Sequence, residues 1–287
     1  MKESRKANFS WIGVKVKINK WLITFILILW SLIALFPLFY TFLNSFKTRG
    51  GYAHSRFWFI EMPTMVNYTD VLGRFNFWRL LFNSFITTLG GVLLCTVVSF
   101  LAAYAISKIK FKGSNIIFMI IIATLMIPNQ TIMYPLYQTA FDMKFINNYL
   151  GLIIIYAAFG LPLGTYLIAA YLKSIPDDLL EAARIDGANH LQIMTKIIFP
   201  ISRPAVVTLA IINTVWMWND LLLPLFILQN QKITTLMVAV SLLRTQYDIH
   251  IPLISAGLII SVIPVLIAYF IGQRQLIKGL TAGAVKS

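Results

Sequence analysis

The chain has 287 residues, 59% hydrophobic and 12% charged, with a mean hydropathy of +0.78. A soluble domain carries about 25% charged residues, so a water-soluble fold is excluded and several membrane-crossing helices of about 20 apolar residues are expected. The net charge of +14 would point to nucleic acid in a soluble protein, but here Lys and Arg flank apolar runs and orient them, so no nucleic-acid partner is expected.

The first twenty residues form a basic tail carrying Lys2, Arg5, Lys6, Lys15, Lys17 and Lys20. The apolar run Trp21 to Leu43 is too long for a signal-peptide core and no small-residue cleavage site follows, so it reads as an uncleaved first span. The loop Asn44 to Asn83 is the longest connection and is rich in aromatics, including Trp58, Phe59, Phe75, Phe77 and Trp78. Phe77 and Trp78 are expected in an interfacial belt. Further spans are predicted at Ser84 to Ile106, Ile116 to Tyr137, Tyr149 to Leu172, Ala205 to Phe226 and Ile254 to Gly272.

The runs are continuously apolar, not alternating, and a helix satisfies its own backbone hydrogen bonds in lipid. The expected fold is therefore an all-α membrane protein with six transmembrane helices: a single domain over 21–272, between tails at 1–20 and 273–287. With both termini cytoplasmic, 16 of the 24 Lys and Arg fall on the inner side, as the positive-inside rule requires. The single cysteine, Cys95, lies in the second span and excludes an intrachain disulfide.

Span three carries Pro128, Asn129, Gln130, Thr131 and Pro135. The prolines free backbone groups that must bond to neighbours or to a water-filled cavity, so Asn129 and Gln130 are candidates for a translocation path. Gly160 and Gly164 in span four read as a close helix contact.

The loop 173–204 differs from its surroundings because four of the ten acidic residues lie between Asp177 and Asp186. Ser174 with Asp177 resembles a capping box, and Pro176 suits a first helical turn. Leu179, Leu180 and Ala183 give an apolar face, and Glu181 and Arg184 are spaced to pair. Gly187 supplies a stop, and Asn189 with Gln192 reads as a second capping box leading into Pro200. An acidic helix is repelled by an anionic inner leaflet, which favours a protein partner over the membrane surface.

Span five carries Asn213, Trp216, Asn219 and Asp220. Asn213, Trp216 and Asp220 are spaced for one helical face, which either packs or lines a path. A carboxylate at a helix centre costs about 2.5 to 3.5 kcal/mol on insertion scales. Asp220 lies roughly 22 Å along the span, near its outer end, which disfavours a proton relay.

Glu181-Ala182-Ala183, three residues, Gly187, nine residues, Ile197, one residue and Phe199-Pro200 together resemble the motif of permease subunits of binding-protein-dependent ABC importers. That motif usually has Leu before the final Pro, where this chain has Phe199. The resemblance implies a type I importer permease fold, with Glu181 to Gly187 as a coupling helix in a cleft of the ATP-binding subunit, and Ile197 and Pro200 leading into span five. The tail Gly279, Leu280, Thr281, Ala282 and Gly283 resembles the terminal signature of maltose-type sugar importers, which implies that it reaches the interface between ATPase subunits. The same family implies that the outer loop from about Gln229 to Ile251 enters the binding protein's sugar site.

Implied partners are a homologous second permease, two ATP-binding subunits holding ATP and Mg, an extracytoplasmic sugar-binding protein, a carbohydrate and the lipid bilayer of a prokaryotic cytoplasmic membrane. This chain has no Gly-x-x-x-x-Gly-Lys-Ser/Thr loop, and His54, His190 and His250 are scattered over loops. It is therefore expected to hold no cofactor or metal and to catalyse no reaction. The alternatives are an ion-coupled transporter using Asp220, an importer permease for a non-sugar solute, and a membrane scaffold docking through the Glu181 loop.

Overall fold

The computed structural model describes residues 20–57, 62–74, 76–243 and 250–284, with side chains described as far as Gln273. The chain is helical: α1 Lys20–Ser45, α2 Arg49–His54, α3 Val66–Arg74, α4 Phe77–Tyr104, α5 Ser114–Ala123, α6 Met133–Asp142, α7 Tyr149–Lys173, α8 Asp178–Ile185, α9 His190–Gln192, α10 Phe199–Asn219, α11 Leu222–Ile227, α12 Leu236–Ser241 and α13 Ile251–Ala284. Among the described residues, five helical stretches are long and apolar enough to cross a membrane, or six if the bent pair Ser114–Met126 and Asn129–Asp142 is one span.

The bundle is built on α4, α7 and α10. Helices α4 and α7 run parallel: Asn83 meets Tyr149 at one end, and Lys108 meets Ile175 at the other. Helix α10 runs antiparallel to both, with Leu209 against Gly164 and Met217 against Gly91. Because α4 and α7 point the same way, the chain between Lys110 and Asn148 must return from the Lys108 end to the Asn83 end. The bent pair therefore makes one full passage along the bundle.

Close approach of α4 and α7 depends on small residues. A Cβ at Gly160 would lie 2.6 Å from Cys95 Sγ, and one at Gly91 would lie 3.0 Å from Tyr156 Cβ. A Cβ at Gly164 would overlap Ser99 Oγ. The seam is thus Gly91, Cys95 and Ser99 against Tyr156, Gly160 and Gly164, a small-residue contact that lets backbones pack by dispersion where lipid offers no hydrophobic drive. Helix α1 differs: none of its most apolar stretch is buried, and it packs along α13.

The predicted third span is not straight. Pro128 lacks an N–H and disfavours helical geometry in the residue before it. Ile127 is accordingly extended (ψ 118°) between two 3-10 turns, Thr124–Met126 and Asn129–Ile132, and the two halves are bent by 93°.

The fifth span is shifted from its predicted range. Its helix is continuous from His190 to Asn219, passing through a π turn, Ile193–Ile198. It stops where Asp220 turns extended (ψ 130°) and its carboxylate accepts the Leu222 N–H at 3.2 Å, a local bond that competes with helix continuation. Asp220 therefore does not share a helical face with Asn213 and Trp216, and the predicted stretch to Phe226 is a separate helix, α11.

The long loop after α1 is compact at its base. Lys47, 1% exposed, donates to Ser55 O at 2.8 Å. Asn67 Nδ2 donates to Ser45 O and Lys47 O, both at 2.8 Å. Trp78 is exposed and Phe77 packs beside it, whereas Trp58, Phe59 and Phe75 lie outside the described residues.

Candidate functional site

Helix α8 has two faces. Leu180 and Ala183 are buried among Phe100, Tyr104, Ile168, Leu172, Ile193 and Ile198, and burying a leucine contributes about 2 kcal/mol. Glu181, Ala182, Arg184 and Ile185 point outward, and Ile185 is 86% exposed. Leu179 is also exposed, which removes it from the predicted apolar face. Ile197 is half-buried against the same core, and Pro200 lies in the first turn of α10.

The end of α8 is fixed by backbone geometry. Ala188 N–H donates to Ala183 O at 2.9 Å and Gly187 N–H to Arg184 O at 3.0 Å, the paired closure of a Schellman motif. Gly187 sits at φ +83° with open space around a would-be Cβ, so its left-handed backbone, not crowding, calls for glycine. The next helix starts as predicted: Gln192 N–H donates to Asn189 Oδ1 at 2.8 Å and Asn189 N–H to Gln192 Oε1 at 2.9 Å.

The start of α8 differs from prediction. Ser174 Oγ donates to Tyr171 O at 2.7 Å, and Asp177 occupies the N-cap without a side-chain cap bond. Its carboxylate is held by Lys108 Nζ at 2.7 Å and Lys110 Nζ at 2.5 Å. These two lysines, Lys108 first, pull the Asp177 carboxyl down to about 2. Both described ion pairs belong to Asp177, so the predicted Glu181–Arg184 pair is absent among the described residues.

A groove of about 680 Å³ opens between the bent pair, α7 and α10, lined in part by Thr124, Asn129, Phe159, Gly160, Asn213 and Trp216. Asn213 is buried and its Nδ2 donates to Cys95 Sγ at 3.2 Å, so it packs the seam as well as lining the groove. Trp216 sets its ring edge-on to Tyr156 at 5.8 Å. The groove thus presents the Asn129 amide and the Trp216 ring, a hydrogen-bonding group and an apolar face, with the buried Asn213 amide behind them.

The other candidates fall elsewhere. Gln130 lines a separate hollow of about 410 Å³ with Tyr134, Tyr137 and Gln229. Asn219 is exposed and donates to Val215 O at 2.8 Å, and Asp220 faces the start of α11. The backbone of Gly279, Leu280, Thr281, Ala282 and Gly283 continues α13, and the side chains there lie outside the described residues. In the predicted outer loop from Gln229 to Ile251, residues 244–249 lie outside the described residues as well.

Three features escaped the sequence reading. Lys108 and Lys110 looked like orienting charges, because a pairing across 69 and 67 positions leaves no local pattern. Ile185 lies off the Leu180 and Ala183 face and stands out only as an isolated exposed apolar residue. Asn83, 1% exposed, donates to Lys232 O at 3.1 Å and Thr234 O at 2.8 Å and accepts from Tyr149 Oη at 2.7 Å, tying down the loop before α12.

Residues 95–281 match the family described as binding-protein-dependent transport system inner membrane component. The chain belongs to this family. It is thus an ABC transporter permease, an integral inner-membrane subunit without catalytic activity of its own. The permease is 35% identical over 272 residues to the probable starch degradation products transport system permease AmyC of Thermoanaerobacterium thermosulfurigenes, covering 95% of this chain and 99% of the relative. It is 32% identical over 251 residues to the melibiose/raffinose/stachyose import permease MelC of Bacillus subtilis, covering 87% and 91%. The permease also superimposes with a TM-score of 0.76 and 25% identity, over 89% of its length and 95% of the other chain, on the crystal structure of a bacterial ABC transporter involved in importing the acidic polysaccharide alginate.

Proposed function

We propose that this permease forms half of the translocation pathway of an ATP-driven carbohydrate importer and receives force from a separate ATPase through α8. The bent pair counts as one membrane crossing in this reading, which gives six spans, and the Lys108 end of the bundle faces the cytoplasm with both termini. Partner subunits complete the machine: a homologous permease, two ATP-binding subunits carrying ATP and Mg, and an extracytoplasmic sugar-binding protein.

The observation that carries the reading is the two-sidedness of α8. Leu180 and Ala183 root the helix in the bundle core, while Glu181, Ala182 and Ile185 are offered outward. An exposed isoleucine beside a carboxylate suits a protein cleft better than an anionic lipid surface. The cargo class is supported by the relatives, whose names specify starch degradation products and melibiose, raffinose and stachyose, and by the groove with Asn129, Asn213 and Trp216.

Reconstitution tests the proposal. The permease, a homologous second permease, the ATPase and a sugar-binding protein in liposomes should take up sugar only with ATP. Uptake by this chain alone along a proton or sodium gradient would refute it.

A further inference from the structure

The loop that carries α8 is fastened to a helix that it does not connect. It joins α7 to α10, yet Asp177, at the N-cap of α8, is gripped by Lys108 and Lys110 from the end of α4. The Lys108 side chain is 2% exposed, and its ammonium also donates to Ile175 O at 2.7 Å. A buried ammonium is costly unless it is paired and hydrogen-bonded, and here both conditions are met by the α8 loop alone.

The end of α4 departs from regular α-helix where it makes the grip. The helix widens into a π turn at Ala105–Ile109, Ser107 Oγ bonds to Ala103 O, and Lys110 adopts a left-handed backbone at φ 53°. That conformation is unfavourable for a residue with a side chain. In exchange, Asp177 gives up the side-chain cap of its own helix. The apolar anchors Leu180 and Ala183 would hold α8 near the bundle without these distortions, so the ion pairs add direction to an attachment already made.

Resting on the reading of α8 as the ATPase-docking element, we propose that Lys108 is a positioning residue that makes α8 and α4 move as one body. Displacement of α8 then carries all three helices of the bundle, α7 and α10 through the chain and α4 through the latch. The groove wall at Gly160 and Asn213, which α4 backs through Cys95, then moves as one unit. Without the latch, α8 is displaced while α4 lags behind.

The test uses the complete reconstituted transporter and reads sugar accumulated per ATP hydrolysed, with retention of the ATPase on the purified complex as a control. Lys108→Met and Asp177→Asn should keep the ATPase bound and hydrolysing, yet lower sugar per ATP about tenfold, since Asp177→Asn leaves the buried Lys108 ammonium without its counter-charge and Lys108→Met leaves Asp177 only the exposed Lys110. Lys108→Arg should recover most of the coupling. Lys110→Met should change it less than about twofold, because that side chain is 61% exposed and exposed pairs contribute little. Combining Lys108→Met with Asp177→Asn should do no more harm than either alone.

Normal sugar per ATP in both single variants, or additive losses in the double variant, would overturn the latch. If Lys108→Met does not fold, Asp177→Asn decides, since that carboxylate is half exposed. Failure of the unaltered chain to hold an ATPase would overturn the functional reading, and the latch's part in coupling with it. Coupled transport by the unaltered chain and by both variants would overturn the latch alone.

Discussion

Adding one methyl group to the seam between α4 and α7, as Gly164→Ala, should destabilise the bundle and Ser99→Gly should repair most of the damage. The new Cβ would overlap Ser99 Oγ and lie 2.8 Å from Ser99 Cβ and 2.9 Å from Leu209 Cδ2. Carbon atoms at rest sit about 3.5 to 4.0 Å apart, so the helices must separate by roughly 1 Å or the neighbours must leave their rotamers. Ser99 and Leu209 are both fully buried and have little room to turn. Overpacking of this kind costs about 1 to 3 kcal/mol. Removing the Ser99 side chain relieves two of the three collisions, leaving the milder one with Leu209. Equilibrium unfolding in mixed detergent and sodium dodecyl sulfate measures the change directly. A loss below about 0.5 kcal/mol for Gly164→Ala, within the usual range of neutral substitutions, or no repair in the double variant, would show that the two helices are not held at this distance.

Ile185→Asp should weaken ATPase binding by about tenfold or more without altering stability, because docking would bury an apolar side chain worth about 1.5 to 3 kcal/mol; titrating purified ATPase against the permease in nanodiscs measures this. The stabilising contribution of Asp177 should be constant from pH 8 to pH 5 and disappear as pH falls from about 4 to 2. The folded pKa near 2 lies below the ordinary value of 3.8, so stability is present above the ordinary value and lost through the folded one. Unfolding of the unaltered chain and Asp177→Asn across this range checks the sign. Asn83→Ala should leave the Lys232 and Thr234 carbonyls and the Tyr149 hydroxyl without this partner, at about 1 to 3 kcal/mol for each group left buried and unpaired. Faster amide exchange at 234–236 than in the unaltered chain is the readout.

The positions of the long helices were legible because apolar runs bounded by Lys and Arg have few alternatives in a bilayer. Their ends were less so. Span three looked continuous by hydropathy, yet Pro128 turns the chain because a missing N–H acts more sharply than a sum of transfer energies. Span five looked as if it ran through Asp220, but a side-chain bond to the Leu222 N–H stops it. The Gly187 stop and the Asn189–Gln192 box were readable because both are local chemistry with a fixed spacing. The Ser174 box failed for the complementary reason: Lys108 and Lys110, far away in sequence, compete for the Asp177 carboxylate. Asn129, Asn213 and Trp216 come together only because α10 runs against α7 while the bent pair folds over both.

Cys95 occupies the middle of the α4 and α7 seam, is completely buried and is the only thiol in the chain. A maleimide can reach it only when Gly160 and Asn213 move away from its sulfur. The permease therefore carries a native chemical clock. The labelling rate of an unmutated chain reports how often the seam opens, and ATP or a loaded binding protein can be added to learn which of them changes that frequency.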